Sequence, residues 1–179
     1  MKGKLFITLA VASALSLSLV DCGSSTTENE ADQNTSAETA NATAGAGAIT
    51  FSYPKDWILQ TEADLGNLEE MQILGQTPTA ISNVGPKEDV EISLGAFYVP
   101  DFEYSYDEFK EYAGSSKLGK ADIVTIGDHE AIELDLSNET VVSIILIPNI
   151  DGKITSIFAA SYPSGDEECS AVVDSVTVS

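Results

Sequence analysis

His129 is the only histidine of this chain, and it follows a Gly127-Asp128 turn signal. A hydrolytic triad needs an imidazole beside an activated serine. Serines are abundant, but none lies in a Gly-x-Ser-x-Gly elbow. One histidine and two cysteines, Cys22 and Cys169, make no His cluster of zinc-binding type. Asp101, Glu103, Asp107 and Glu108 crowd one short segment, and hard carboxylates suit calcium. The EF-hand pattern is absent, and Asp107 and Glu108 fall where the start of a helix favours acids. Catalysis, a bound metal and a cofactor are therefore not expected. The aromatic residues point elsewhere. Phe97, Tyr98, Phe102, Tyr104 and Tyr106 form the densest aromatic run, and part of it lies between predicted elements. Loop aromatics suit recognition of a partner or a sugar, so Phe102, Tyr104 and Tyr106 are the expected binding surface. Core packing or loop anchoring is the competing reading.

The two cysteines have different settings. Lys2 and Lys4 precede the apolar run Leu5 to Val20, the pattern of an export signal. That run is shorter than the roughly 20 apolar residues of a spanning helix. Leu19-Val20-Asp21-Cys22-Gly23 resembles a bacterial lipoprotein box, in which the cysteine becomes the acylated first residue. Asp21 departs from the pattern, which has a small residue at that position. Cys22 is the expected lipid anchor, and it would hold the protein on the extracytoplasmic face of the cell membrane. A disulfide to Cys169 and an idle thiol are the alternatives. Cys169, Val172, Val173 and Val176 share one face of a predicted helix, which points to a packed cysteine.

Residues 23 to 47 contain no aromatic residue, Leu, Ile, Val or Met. Such a segment buries too little apolar surface to offset the entropy of ordering it. The expected organisation is a signal peptide over 1–21, a disordered acidic tether over 22–47 and one domain over 48–179. The tether would reach on the order of 25–30 Å. Across the whole chain, 8 lysines face 29 acids for a net charge of −21, and arginine is absent. Such a field repels nucleic acid, and no guanidinium is present to read phosphate or base edges. Nucleic-acid binding is excluded. The acids give solubility, or they meet a cationic partner or a divalent ion.

The elements that must position these residues read mainly as strands. Ala48 to Tyr53 and Trp57 to Glu62 are predicted strands, with Pro54 ending the first. Residues 64 to 88 fit neither the helical nor the strand period. Val90 to Val99 reads as a strand with Ile92, Leu94 and Tyr98 on one face and Phe97 and Val99 on the other. Ser105 and Glu108 have the spacing of a capping box opening a helix over 106–112, with Phe109 and Tyr112 inward. Ile123 to Ile126, Glu130 to Leu136, Val141 to Ile147 and Ile154 to Tyr162 follow as strands separated by turn residues. The near-continuous apolar run from Val141 suits a strand covered on both faces. Ser164 and Glu167 repeat the capping-box spacing before a final helix through Asp174.

Phe51-Ser52-Tyr53-Pro54-Lys55-Asp56-Trp57 resembles the opening strand and turn of the PsbP/Mog-like superfamily, whose bacterial lipoprotein members begin with a YPxxW-type motif. Further likenesses follow in order. They are the short tyrosine-rich helix, Gly127-Asp128-His129-Glu130-Ala131 before an amphipathic strand, the three-strand meander, and a terminal helix ending Val173-Asp174-Ser175. The resemblance implies an α+β fold, an antiparallel β-sheet flanked by helices in an α/β/α sandwich. It also implies accessory or binding roles rather than catalysis. The function expected is a lipid-anchored extracytoplasmic binding or accessory domain, tied to the membrane through Cys22 and acting on an unidentified protein partner. The alternatives are an extracytoplasmic hydrolase using surface carboxylates, or a module that binds a cation or small ligand.

Overall fold

The computed structural model describes residues 41–66, 68–87, 92–115 and 119–179. The signal segment, Cys22 and residues 22–40 of the expected tether lie outside them. The elements run β1 (Asn41–Ala46), β2 (Ile49–Pro54), β3 (Ile58–Thr61), α1 (Glu62–Leu65), a 3-10 turn (Leu68–Glu70), β4 (Ala80–Gly85), β5 (Ser93–Tyr98) and α2 (Tyr106–Ser115). They continue with β6 (Lys120–Ile126), β7 (His129–Asp135), β8 (Val141–Pro148), β9 (Ser156–Pro163), α3 (Glu167–Asp174) and β10 (Thr177–Val178). Seven strands form one sheet in the order β3-β4-β5-β9-β8-β7-β6, and β1-β2-β10 form a second. Every strand pairing is antiparallel. The fold is α+β.

Strands β6 to β9 make a meander, and β9 then lies beside β5. This explains the apolar run in β8, which is interior, flanked by β7 and β9, and buried from Ile145 to Pro148. The alternation of β5 divides two cores. Leu94 and Ala96 face one, shared with Phe51, Phe158, Tyr162, Cys169 and Val172. Phe97, and Val99 just past the end of the strand, face the other, shared with Ile132, Leu134, Ile147, Ile157 and Phe109. Helix α2 covers this second face. The first face is covered by α3 together with β2, so a second sheet shares the layer that the sandwich expectation gave to helices.

Three local expectations are corrected. The tether boundary at residue 47 falls too late, because Asn41–Ala46 pairs with Pro54–Ile49 along its whole length. Burying large side chains is not what orders this strand. Its backbone groups are satisfied by β2, Ala46 is buried, and a Cβ on Gly45 would collide with the Ile49 carbonyl. Two buried serines of the large sheet complete the attachment. Ser156 Oγ accepts from the Ala48 amide at 2.9 Å, and Ser82 Oγ donates to the Gly45 carbonyl at 2.7 Å. Second, α3 is capped by Asp166, whose carboxylate accepts from the Cys169 amide at 2.9 Å, rather than by a box of Ser164 and Glu167. Third, Tyr112 points outward at 39% exposure, and the inward face of α2 is Tyr106, Phe109 and Ala113.

The segment 64–88, which fitted no period, contains strand β4 and a tight hairpin turn. Ile73 and Gln76 exchange both backbone hydrogen bonds, at 3.0 and 2.9 Å. The two residues between them, Leu74 and Gly75, have φ of 50° and 78°. A leucine is strained there; its side chain is buried in the second core, which offsets the cost.

Candidate binding surface

Ser105 starts α2 as its spacing implies. Its amide donates to a Glu108 carboxylate oxygen at 2.9 Å, its hydroxyl donates to the same oxygen at 2.7 Å, and the Glu108 amide returns to Ser105 Oγ at 3.4 Å. These bonds, the hydroxyl's first, hold the Glu108 carboxyl below its ordinary value. The helix is therefore anchored at the residue that follows the loop aromatics. A backbone bond from the Tyr106 amide to the Gly152 carbonyl, 3.0 Å, ties the same point to the β8–β9 connection.

Phe102, Tyr104, Phe109 and Tyr112 form one aromatic cluster around this anchor. Phe109 is buried, and the Phe102 ring meets it edge-on at 5.4 Å and 83°. Tyr104 lies 6.2 Å from Phe109 and is stacked with Tyr112 at 5.9 Å with only 6° between the planes. Offset parallel rings at this distance attract one another beyond their area burial. Both tyrosines remain over a third exposed, at 38% and 39%. The buried ring thus supports a shelf of two parallel phenols open to solvent.

The three expected surface residues separate. Tyr104 is exposed, Phe102 is half-buried against the second core, and Tyr106 is fully buried. Placing Tyr106 on the surface is therefore corrected. As the first residue of α2, it turns inward onto the sheet, while Tyr112 takes the outward place. Spacing within the helix carried this signal, since Tyr112 lies four residues beyond Glu108 and so shares its outer face.

Beneath α2, Lys110 Nζ meets Glu130 Oε1 at 2.8 Å and lies 5.9 Å from the centre of the Tyr106 ring. Lys110 also holds the Glu130 carboxyl below its ordinary value. The Tyr106 hydroxyl is enclosed and has no hydrogen-bond partner of good geometry among the described residues. Burial pushes this phenol well above its usual range, and the nearby Glu130 charge adds to the rise. Such a phenol stays protonated and is a poor base or nucleophile.

His129 is half-buried at the start of β7, with Nδ1 3.3 Å from the Asn149 carbonyl. This contact orients the ring at a strand end. Among the described residues, no three His, Cys, Asp or Glu side chains are grouped to hold a metal ion. Cys169 is fully buried in the first core. An open recess of about 330 Å³ lies along the β1–β2 hairpin, lined by Thr43 to Gly47, Ile49 and Thr50. None of these side chains is ionisable.

No family model matches the chain, and no curated protein matches it. Among solved structures, it is similar to a protein from Bacteroides thetaiotaomicron VPI-5482 seen at 1.50 Å, with 16% identity and a TM-score of 0.43. The match covers 73% of this chain and 45% of that one, so the chain spans under half the length of its structural neighbour. A likeness of this degree carries no functional argument.

Proposed function

We propose that this protein is a lipid-anchored binding or accessory domain of PsbP/Mog-like type on the extracytoplasmic face of a bacterial membrane, acting through protein contacts and not through catalysis. The observation that carries the binding role is the Tyr104–Tyr112 shelf, stacked at 5.9 Å and over a third exposed on both rings. Aromatic side chains held rigid by a buried neighbour give large contact area at low entropic cost. Here Phe109 supplies that support. The anchor rests on the basic, apolar and cysteine-terminated order of Lys2, Leu5 to Val20 and Cys22. The family assignment rests on the Pro54-to-Trp57 motif; the Trp57 amide donates to the Pro54 carbonyl at 3.1 Å and the indole is buried.

Two measurements test the proposal. Labelled palmitate is expected in the wild type and absent from Cys22→Ala; a wild type without lipid removes the anchor. Capture from the native envelope is expected to yield a partner at fixed stoichiometry that Tyr104→Ala/Tyr112→Ala fails to retain. Equal capture by both proteins removes the surface.

A further inference from the structure

Residues 101–115 carry five carboxylates, Asp101, Glu103, Asp107, Glu108 and Glu111, against a single ammonium, Lys110. All five acids are exposed. Lys110 pairs with a sixth acid, Glu130 of β7, at 2.8 Å, so its charge is already matched and the five acids keep their excess. The outer side of α2 therefore presents acids and tyrosine rings together. Glu108 and Tyr112 are four residues apart on the helix and so are neighbours, and the exposed Glu111 and Glu103, next in sequence to Tyr112 and Tyr104, lie close enough to add longer-range attraction.

Resting on the binding role above, we propose that the Tyr104–Tyr112 shelf receives a basic polypeptide segment of another envelope protein, its lysine or arginine side chains lying over the two rings between the flanking carboxylates. The face of a phenol ring carries negative potential and attracts an ammonium or guanidinium. Two parallel rings offer that potential side by side, and carboxylates at their margins add longer-range attraction. The same charges disfavour the other occupants. A second copy of the chain docking through this surface would set like acids against each other across a two-fold interface. A neutral saccharide would use the rings but leave the carboxylates without a role.

The test uses the full chain in detergent and a fluorescent decalysine peptide, followed by anisotropy. Binding is expected to weaken about tenfold in Tyr104→Leu/Tyr112→Leu, which keeps apolar bulk and all charges. It is also expected to weaken in Glu103→Gln/Glu111→Gln. The matched control, Glu167→Gln/Glu168→Gln at the start of α3, removes the same charge on the other side of the large sheet and is expected to bind as wild type does. Equal weakening by the two glutamate pairs would mean diffuse attraction by an acidic protein and would overturn the proposal. So would unchanged decalysine binding by the tyrosine variant, or preference for a neutral oligosaccharide over decalysine. Circular dichroism of each variant checks that the fold is kept. Should the tyrosine variant lose its envelope partner while binding decalysine normally, the docking surface stands and only the basic-segment inference fails. Should it lose neither, both fail.

Discussion

The two faces of the seven-stranded sheet are built from the same strands but closed in different ways. On the first, β2 and α3 lie over Leu94, Phe158 and Leu146, and the rings of Phe51 and Phe158 meet edge-on at 5.3 Å in a fully buried core. On the second, α2 covers Ile132, Leu134 and Ile157, but its aromatic residues continue past the core edge, from buried Phe109 to exposed Tyr112. A sheet packed over one face hides its side chains in rows. A ten-residue helix covers a narrow stripe and leaves its flanks to solvent. The first face is therefore structural, and the second has aromatic surface to spare.

Breaking the sealed face gives the largest expected effect. Phe158→Ala should cost about 3–5 kcal/mol in chemical denaturation, with buried Trp57 as the fluorescence reporter. A loss below about 1 kcal/mol would contradict a close-packed first face. Gly47→Val probes whether the β1–β2 hairpin belongs to that seal. Gly47 has φ +60°, and a Cβ there would overlap Ser156 Oγ and the Tyr98 ring. A loss of about 2 kcal/mol or more is expected, whereas wild-type stability would show that the hairpin is not docked.

On the helical face the effects are smaller. Ser105→Ala removes the cap of α2 and should cost about 1 kcal/mol. Its pH dependence has a defined sign. The Glu108 carboxyl titrates below its ordinary value when folded. Its stabilisation is thus present above the usual carboxylate range and is lost as pH falls through the depressed folded value. The gap between wild type and variant should narrow in acid, to the part that the Glu108 amide bond to Ser105 Oγ supplies; a constant gap would show that the bond from the Ser105 hydroxyl to the Glu108 carboxylate does not act in the cap. Tyr106→Phe removes an enclosed hydroxyl that has no hydrogen-bond partner of good geometry among the described residues. Stability should hold or rise by up to about 1 kcal/mol. A clear loss would reveal a working hydrogen bond to Glu130.

Much of this fold was legible because its signals are local. The alternation in β7, the apolar run of β8 and the Ser105–Glu108 box all depend on neighbours within one element. Strand β4 was not legible, since Ala80–Gly85 mixes Ser82, Asn83 and Gly85 among its apolar residues. It pairs at Ser82 and Asn83 with β3 on one side and β5 on the other. The same holds for β1, whose small residues give no hydrophobic signal and whose order comes from its partner strand. Composition points to Tyr104 and, wrongly, to Tyr106 as surface residues, while the three-residue spacing from Phe109 puts Tyr112 inward although its four-residue spacing from Glu108 fits the outer face. Three tyrosines within nine residues look alike until the helix's rotation against the sheet is set.

The amino-acid order by itself determined the acidity, the alternating strands, the capped start of α2 and the buried setting of Cys169, because each follows from side-chain chemistry or short-range periodicity. Tertiary structure alone decided that Asn41–Ala46 joins the body, that a second sheet shares the cover of the first face, and that Tyr104 and Tyr112 stack in the open. Those outcomes depend on backbone partners and ring neighbours brought together from distant positions, and no local pattern encodes which distant partner a strand or a ring will meet.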